Sequence, residues 1–191
     1  MNEPSEIARR FGVELVSREI VHRARKFQIE RLTEQFPGGA RLTRDIVRHP
    51  GAVVILPILD DGRIVMIEQF RSSVGTTLLE LPAGTLEPGE DPRLAAAREL
   101  TEETGYHAGT LEAGPIFYPA PGVSDELMRV FVARDLEVRE QALELGECLE
   151  VRLFTPQAVE QLFLTGRIRD AKTWIALREC ALTKQPAQRD S

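Results

Sequence analysis

Three glutamates near the middle of the chain have the spacing of a metal-binding cluster. They are Glu99, Glu102 and Glu103, within the stretch GTLEPGEDPRLAAARELTEETGY at positions 84–106. At 3.6 residues per turn, helical side chains three and four positions apart share one face, where like charges repel each other. A bound cation would relieve this repulsion. The alternative is a solvated acidic face, for which Arg98 is the nearby counter-charge.

The segment around these glutamates carries start and stop signals for a helix. Asp91 is a preferred N-cap, Pro92 suits the first helical position, and Gly105 is a natural C-terminal stop. The pattern predicts a helix from about Pro92 to Thr104. Opposite the glutamates, we expect a core-facing side formed by Leu94, Ala97, Leu100, Thr101 and Thr104.

The chemistry of the cluster indicates a hard metal ion. Carboxylates suit Mg²⁺ or Mn²⁺, whereas zinc prefers His and Cys ligands. The three histidines, His22, His49 and His107, show no ligand spacing. The predicted cofactor is therefore Mg²⁺, with Mn²⁺ as the alternative.

Composition indicates a water-soluble globular protein and argues against nucleic acid as a partner. The 191 residues are 42% hydrophobic and 28% charged, and the net charge of -6 lacks the basic surface that nucleic-acid binding needs. The N-terminal residues show no apolar export signal, and no apolar run is long enough to span a membrane. Two cysteines are too few for a disulfide framework, so we expect a cytoplasmic protein.

The order of elements predicts a layered α+β domain. Strand-like segments precede the glutamate helix, and further strands and two helices follow it. Ala52–Leu59 and Arg63–Phe70 are predicted to form a hairpin around the turn at 60–62. We expect an N-terminal β extension over 1–47, a main domain over 48–183 and a flexible tail over 184–191.

The glutamate segment matches a known family motif at every defining position. Gly84 is followed by five residues and Glu90, then by seven residues and Arg98-Glu99-Leu100, and then by Glu102-Glu103 and Gly105. This is the Nudix box, and the chain resembles a Nudix hydrolase, a class that cuts diphosphate linkages with divalent metal. The resemblance implies a Nudix fold, an α/β/α sandwich with a mixed sheet, here with an N-terminal antiparallel β extension.

Segments outside the box are similar to the ADP-ribose and nucleotide-sugar diphosphatase group. They are Glu68-Gln69-Phe70-Arg71, Leu81-Pro82-Ala83-Gly84, Pro121 at sixteen residues after Gly105, and Gly166–Leu177. The resemblance implies Mg²⁺-dependent hydrolysis of ADP-ribose to AMP and ribose 5-phosphate. The alternatives are another nucleotide sugar, such as GDP-mannose, a dinucleotide, or a Nudix module that binds its ligand without cutting it.

The resemblance also implies which residues hold the metal. The ligands would be Glu99 and Glu103, often with Glu102, joined by the backbone carbonyl of Ala83. Gly84 would allow a tight turn close to the phosphates. We place Arg98 in the catalytic centre as the organiser of these carboxylates.

A further glutamate should orient or deprotonate the attacking water. In the resembled group it lies on a loop after the box, where this chain has Glu144-Leu145-Gly146-Glu147. Glu147 aligns best, Glu144 is the alternative, and Glu102 would serve if neither does.

Substrate-binding residues are implied by position in the resembled group. Arg71 would contact the diphosphate or ribose, and Glu126 would lie near the terminal sugar. Arg44 and Asp45 would reach the nucleobase, often from the partner subunit, whereas Phe27 could either stack on the base or pack in the core. The predicted assembly is a homodimer with shared active sites that takes a nucleoside diphosphate sugar as substrate.

Overall fold

The computed structural model describes residues 10–182, and the predicted tail over 184–191 lies outside them. The strands are β1 (Glu14–Arg23), β2 (Gln28–Gln35), β3 (Arg41–Arg48), β4 (Ala52–Pro57), β5 (Ile64–Arg71), β6 (Thr76–Glu80), β7 (Ala83–Thr85), β8 (Tyr106–Phe117), β9 (Met128–Val138) and β10 (Leu149–Phe154). The helices are α1 (Pro92–Thr104), α2 (Pro156–Leu164) and α3 (Ala171–Leu177), and a π-helical turn, Arg178–Leu182, follows α3.

The chain divides into two compact units. One contains the residues up to Pro50 together with Ala120–Glu126, and the other contains Gly51–Pro119 and the residues from Leu127 onward. The first unit holds an antiparallel sheet in the order β1-β2-β3. Within this unit the Ala120–Glu126 segment bonds to the end of β3, where the Asp125 N–H donates to the Val47 carbonyl.

The second unit is built on two sheets. One is mixed, in the order β7-β4-β9-β8, with β4 and β9 parallel, and the other is antiparallel, in the order β10-β5-β6. Successive strand residues face opposite sides. On β4, Val53 and Ile55 therefore pack with α1, while Val54 and Leu56 pack in a cluster that includes residues of α2 and α3. Helices cover both faces, which confirms the α+β class and the sandwich.

The predicted turn at 60–62 is present, with the Leu59 N–H bonded to the Arg63 carbonyl, but the predicted pairing of the two flanking strands in one hairpin is wrong. Among the described residues, one isolated bridge joins Ile58, just after β4, to Ile64 at the start of β5. β4 pairs with β7 and β9, whereas β5 pairs with β6 and β10. A short turn signal shows that the chain reverses, but it does not show whether the two strands pair, which depends on distant partners.

Helix α1 has the predicted bounds, but its buried face differs from the prediction. The Asp91 side chain accepts from the N–H groups of Arg93 and Leu94, and Gly105 ends the helix in the left-handed conformation. Leu94 is 66% exposed, whereas Glu99 and Glu103 are buried beside Leu100. Leu100 and Thr104 are buried as predicted, but the expectations that Leu94 faces the core and that Glu99 and Glu103 lie opposite the buried side are wrong.

Two further observations bear on sequence-based expectations. Cys148, which is exposed, and Cys180, which is buried, are not joined in a disulfide. No helix formed by residues 10–182 combines the length and the apolar character that crossing a bilayer requires.

Candidate functional site

The centre of the site is the contact between α1 and the short strand β7. A Cβ atom built on Gly84 would lie 1.8 Å from the carboxyl carbon of Glu99, so the bare glycine backbone makes room for that carboxylate. Gly84 is a strand residue paired with Val53 and does not have a left-handed φ. The expectation of a tight turn at Gly84 is therefore wrong, because the glycine provides space here rather than conformational freedom.

Glu103 lies one turn after Glu99 and is the more deeply buried of the two, at 2% exposure. Its carboxylate accepts a hydrogen bond of 2.9 Å from the Ala83 N–H. Burial raises the pKa of Glu103 to about 8, and the nearby charges of Glu99 and Glu147 add to the increase. The Ala83 hydrogen bond and the charge of Arg71 oppose it.

Arg98 connects three carboxylates on the outer side of the cluster. Its Nη1 atom donates to Glu99 and to Glu102, at 2.9 Å each, while Nε and Nη2 donate to the two oxygens of Glu90. These contacts hold the pKa of Arg98 above its usual value. The geometry is that of an organiser of carboxylates, as the sequence predicts for Arg98.

The donor set fits a hard divalent cation. Glu99 and Glu103 place two buried carboxylates on consecutive turns of α1, beside the backbone of Ala83 and Gly84. Burying such charges is costly unless they are paired, and a divalent cation would replace the proton that burial favours on Glu103. Within residues 10–182, no three His, Cys, Asp or Glu side chains are already arranged as a metal site. Glu102 is bonded to Arg98, and Ala83 presents its N–H to Glu103, so their roles as ligands remain predictions.

The loop between β9 and β10 is tied to the C-terminal end of α1. The side-chain amide of Gln141 donates to the Glu103 carbonyl at 2.6 Å, and the Ala142 N–H donates to the Glu102 carbonyl at 3.0 Å. These contacts satisfy carbonyls that a helix end leaves without an intrahelical partner. The loop that carries the candidate water-activating glutamates is thus fastened to the helix that carries the metal ligands.

Within this loop, Glu147 has the stronger connection to the carboxylate cluster. It is half-buried, its carboxylate accepts from the Glu144 N–H at 2.8 Å, and its charge contributes to the raised pKa of Glu103. Glu144 is exposed. The geometry favours Glu147 over Glu144.

Arg71 ends β5 and is held by a buried carboxylate. Its Nε and Nη2 atoms donate to the two oxygens of Glu80, at 2.8 and 2.6 Å. Lys172 of α3 donates to the same carboxylate. Arg71 also lowers the pKa of Glu103 through its charge, so the structure brings this predicted substrate residue to the metal-binding cluster.

The other predicted substrate residues belong to the first unit, whereas the carboxylate cluster belongs to the second. Arg44 donates to Glu34 at 3.3 Å, and Asp45 accepts from Nε and Nη2 of Arg31 at 2.7 and 2.8 Å. Being neighbours on β3, Arg44 and Asp45 face opposite sides of the strand.

Two further predicted residues lie in the same unit. Phe27 is 38% exposed, between β1 and β2. Glu126 lies 3.7 Å from Nδ1 of His49.

A cleft of about 530 Å³ lies elsewhere in the second unit and contains none of the predicted site residues. Its lining is formed by Glu68, Phe70, Thr77, Cys148, Leu149, Glu150 and Arg152. Phe70 and Arg71 are neighbours on β5, so they face opposite sides of that strand.

Sequence reasoning missed three residues that support the site. Glu80, Lys172 and Gln141 form bonds across sequence separations of 9, 92 and 38 positions. Glu80 does carry a local signal, since it is a charged residue inside the otherwise apolar stretch Leu78–Leu81. Lys172 and Gln141 carry none, because their partners are distant in sequence.

The raised pKa of Glu103 predicts how the stability of the metal-free protein depends on pH. A raised carboxyl pKa stabilises the fold fully below the unfolded value of about 4.5, and this contribution is lost as the pH rises through about 8. We expect the difference in unfolding free energy between Glu103→Gln and the unsubstituted protein to shift in favour of Glu103→Gln as the pH rises from 5 to 9. Urea unfolding in the presence of a chelator at both pH values measures this shift. An equal stability difference at the two pH values would contradict the assignment.

The chain is similar to known proteins of one enzyme group. The chain is 43% identical over 146 residues to an ADP-ribose pyrophosphatase of Bacillus subtilis, covering 75% of this chain and 79% of that protein. It is 44% identical over 124 residues to an ADP-ribose pyrophosphatase of Mycobacterium tuberculosis, covering 64% of this chain and 60% of that protein.

A solved structure has a similar fold, and a family model covers most of the chain. The structure, described as an ADP compounds hydrolase, matches with a TM-score of 0.76 and 26% identity, over 87% of this chain and 90% of its own. The model for the NUDIX domain matches residues 47–177. Because that match spans more than half of the sequence and includes the whole of α1, the protein belongs to the Nudix hydrolase family.

Proposed function

We propose that this protein hydrolyses the diphosphate bond of ADP-ribose, with Mg²⁺, to give AMP and ribose 5-phosphate. The observation that carries the proposal is the buried pair Glu99 and Glu103 against the backbone of Ala83 and Gly84. The relatives from Bacillus subtilis and Mycobacterium tuberculosis, both ADP-ribose pyrophosphatases, support this choice of substrate.

Each residue of the site has a separate role in the proposed reaction. A metal held by Glu99 and Glu103 would stabilise charge that develops on the diphosphate oxygens. Arg98 keeps Glu99 and Glu102 in place, and Arg71 contributes a cation to the diphosphate. Glu147 orients the attacking water and takes its proton as the new P–O bond forms and the bridging P–O bond breaks. Glu102 would take that role if Glu147 does not.

The metal is proposed to be Mg²⁺ rather than Mn²⁺. Nudix hydrolases generally use divalent metals, and carboxylate oxygens suit both ions. Comparing turnover at matched free concentrations of the two ions decides between them. Higher turnover with Mn²⁺ would overturn the choice.

The deciding experiment measures release of AMP from ADP-ribose in the presence of Mg²⁺. A panel containing GDP-mannose, other nucleotide sugars and dinucleotides, scored by kcat/KM, separates the alternative substrates. Tight binding of a panel member without turnover of any would instead identify a ligand-binding Nudix module. Preference for another panel member would keep the enzyme class and replace the substrate.

The metal-binding assignment predicts the effect of removing one carboxylate charge. Glu99→Gln and Glu103→Gln should each lower kcat by several orders of magnitude, because each removes an anionic ligand and leaves a side chain of the same size. The matched control is Glu160→Gln, a substitution of an exposed glutamate on α2. Near-normal turnover of either variant at saturating Mg²⁺ would exclude that residue as a ligand.

The two loop glutamates provide a matched pair for the water-activating role. Glu147→Gln should lower kcat by about 10²–10⁴-fold, the usual contribution of a general base. Glu144→Gln should change kcat little, because Glu144 contributes through its backbone N–H to the position of Glu147. If Glu144→Gln has the larger effect, the assignment reverses, and if both variants stay active, Glu102 becomes the candidate.

The proposed assembly is a homodimer in which residues 1–47 complete the substrate pocket of the partner. All ten residues of β1 are exposed in the single chain, including Leu15, Val16, Ile20 and Val21. Contiguous exposed apolar residues of this kind are typical of a surface that binds another protein. The nucleobase residues of the pocket would be Arg44 and Asp45, with Phe27 stacking on the base and Glu126 near the terminal sugar.

Mixing subunits tests whether active sites are shared. Neither Arg44→Ala nor Glu103→Gln should be active alone, but in a shared-site dimer each mixed molecule has one intact site. Random exchange then restores about a quarter of the sites. Demonstrated subunit exchange without recovery of activity would mean that each chain builds its site alone.

A further inference from the structure

The guanidinium of Arg71 is held on one edge by a carboxylate that is almost completely buried. Glu80 is 1% exposed and binds Nε and Nη2 of Arg71 through both of its oxygens, whereas the Arg71 side chain is 36% exposed. A two-bond contact of this kind sets both the position and the plane of the guanidinium. Burial alone would raise the pKa of Glu80, but Arg71 and Lys172 lower it below its usual value.

Helix α3 holds the same carboxylate from the other side. Lys172 is 9% exposed at its side chain, donates to Glu80 and lies 3.0 Å from Asp170. The next residue, Thr173, accepts the Leu81 N–H at 2.8 Å. Consecutive residues of α3 therefore fasten Glu80 and Leu81, just before the Ala83–Gly84 backbone that contacts the metal-binding glutamates.

Burying the ion pair of Glu80 and Lys172 costs desolvation free energy, which a role in the site would explain. A buried ion pair usually contributes no more stability than apolar residues of the same volume. A flexible arginine, by contrast, loses rotamer entropy when it is immobilised. Because Arg71 is already fixed in the folded protein, substrate binding does not have to include this loss of rotamer entropy.

We propose that Glu80, with Lys172 behind it, is a positioning residue that holds Arg71 so that its remaining donors face the diphosphate of the substrate. The inference rests on the proposed function, since it assigns Arg71 to the diphosphate. Glu80 acts through Arg71 and does not touch the substrate. Lys172 prevents the carboxylate from turning away from the arginine.

The first test is a double-mutant cycle. Glu80→Gln should raise KM for ADP-ribose about 10-fold or more and change kcat less, because one fixed diphosphate contact becomes mobile. In an Arg71→Ala background, Glu80→Gln should add nothing to the loss of kcat/KM. Asp61→Asn is the matched control, because it breaks a carboxylate–arginine pair, with Arg63, at an exposed turn.

A second pair of variants separates positioning from folding. Glu80→Gln leaves Lys172 beside an uncharged partner, so the combined Glu80→Gln/Lys172→Met protein removes both charges and should fold if the single variant does not. Lys172→Met alone should raise KM less than Glu80→Gln, because the Arg71–Glu80 contact remains. In the unsubstituted protein the Arg71 Nε–H should be protected from exchange, because it donates to Glu80, and Glu80→Gln should remove this protection.

The outcomes distinguish this inference from the proposed function. If the unsubstituted protein releases AMP but Glu80→Gln keeps its KM, or the losses from Glu80→Gln and Arg71→Ala multiply, the positioning role is overturned and the function stands. If the protein binds ADP-ribose without cutting it, the same cycle is measured with dissociation constants. Absence of both turnover and binding would overturn the proposed function and, with it, the role of Arg71.

Discussion

The burial of two carboxylates on one helix is the constraint on which the rest of the site depends. Glu99 and Glu103 are withdrawn from water on consecutive turns of α1, beside the bare backbone of Gly84. Unpaired buried charge is among the most unfavourable features a fold can contain. The raised pKa of Glu103 shows that the single chain satisfies this requirement only in part. The site is therefore suited to binding a cation, which would stabilise the charged form of the buried carboxylates.

The surroundings compensate this negative charge from separate parts of the chain. Arg98 bonds to Glu99 from within α1, and the Ala83 N–H bonds to Glu103 from β7. Arg71 adds a cation that is itself fixed by Glu80 and α3, while Gln141 ties the following loop to the helix end. Apart from the Arg98–Glu99 contact within α1, these contacts join different elements, so the site forms only when the two sheets and their helices have assembled.

The predictions differ from the structure where a local sequence pattern was used to predict contacts that depend on distant segments of the chain. The apolar periodicity of α1 predicted Leu94 inside, but the α1–β7 contact requires Glu99 and Glu103 on the inner side. Gly84 suggested a turn, because glycine is the usual residue at positive φ, yet it serves here as space for a carboxylate. The turn before β5 was predicted to close a hairpin, although both flanking strands find partners elsewhere.

Local interactions allowed the sequence alone to determine the bounds of α1, the glutamates of its cluster and the α+β class. Caps act over three or four residues, box spacing is itself a sequence property, and alternating strands and helices restrict the layers that can form. Tertiary structure decided which glutamates are buried, that the charge of Glu147 influences Glu103, and that Glu80 and Lys172 hold Arg71. Desolvation and ion pairing depend on groups up to 92 positions apart, which no local pattern specifies.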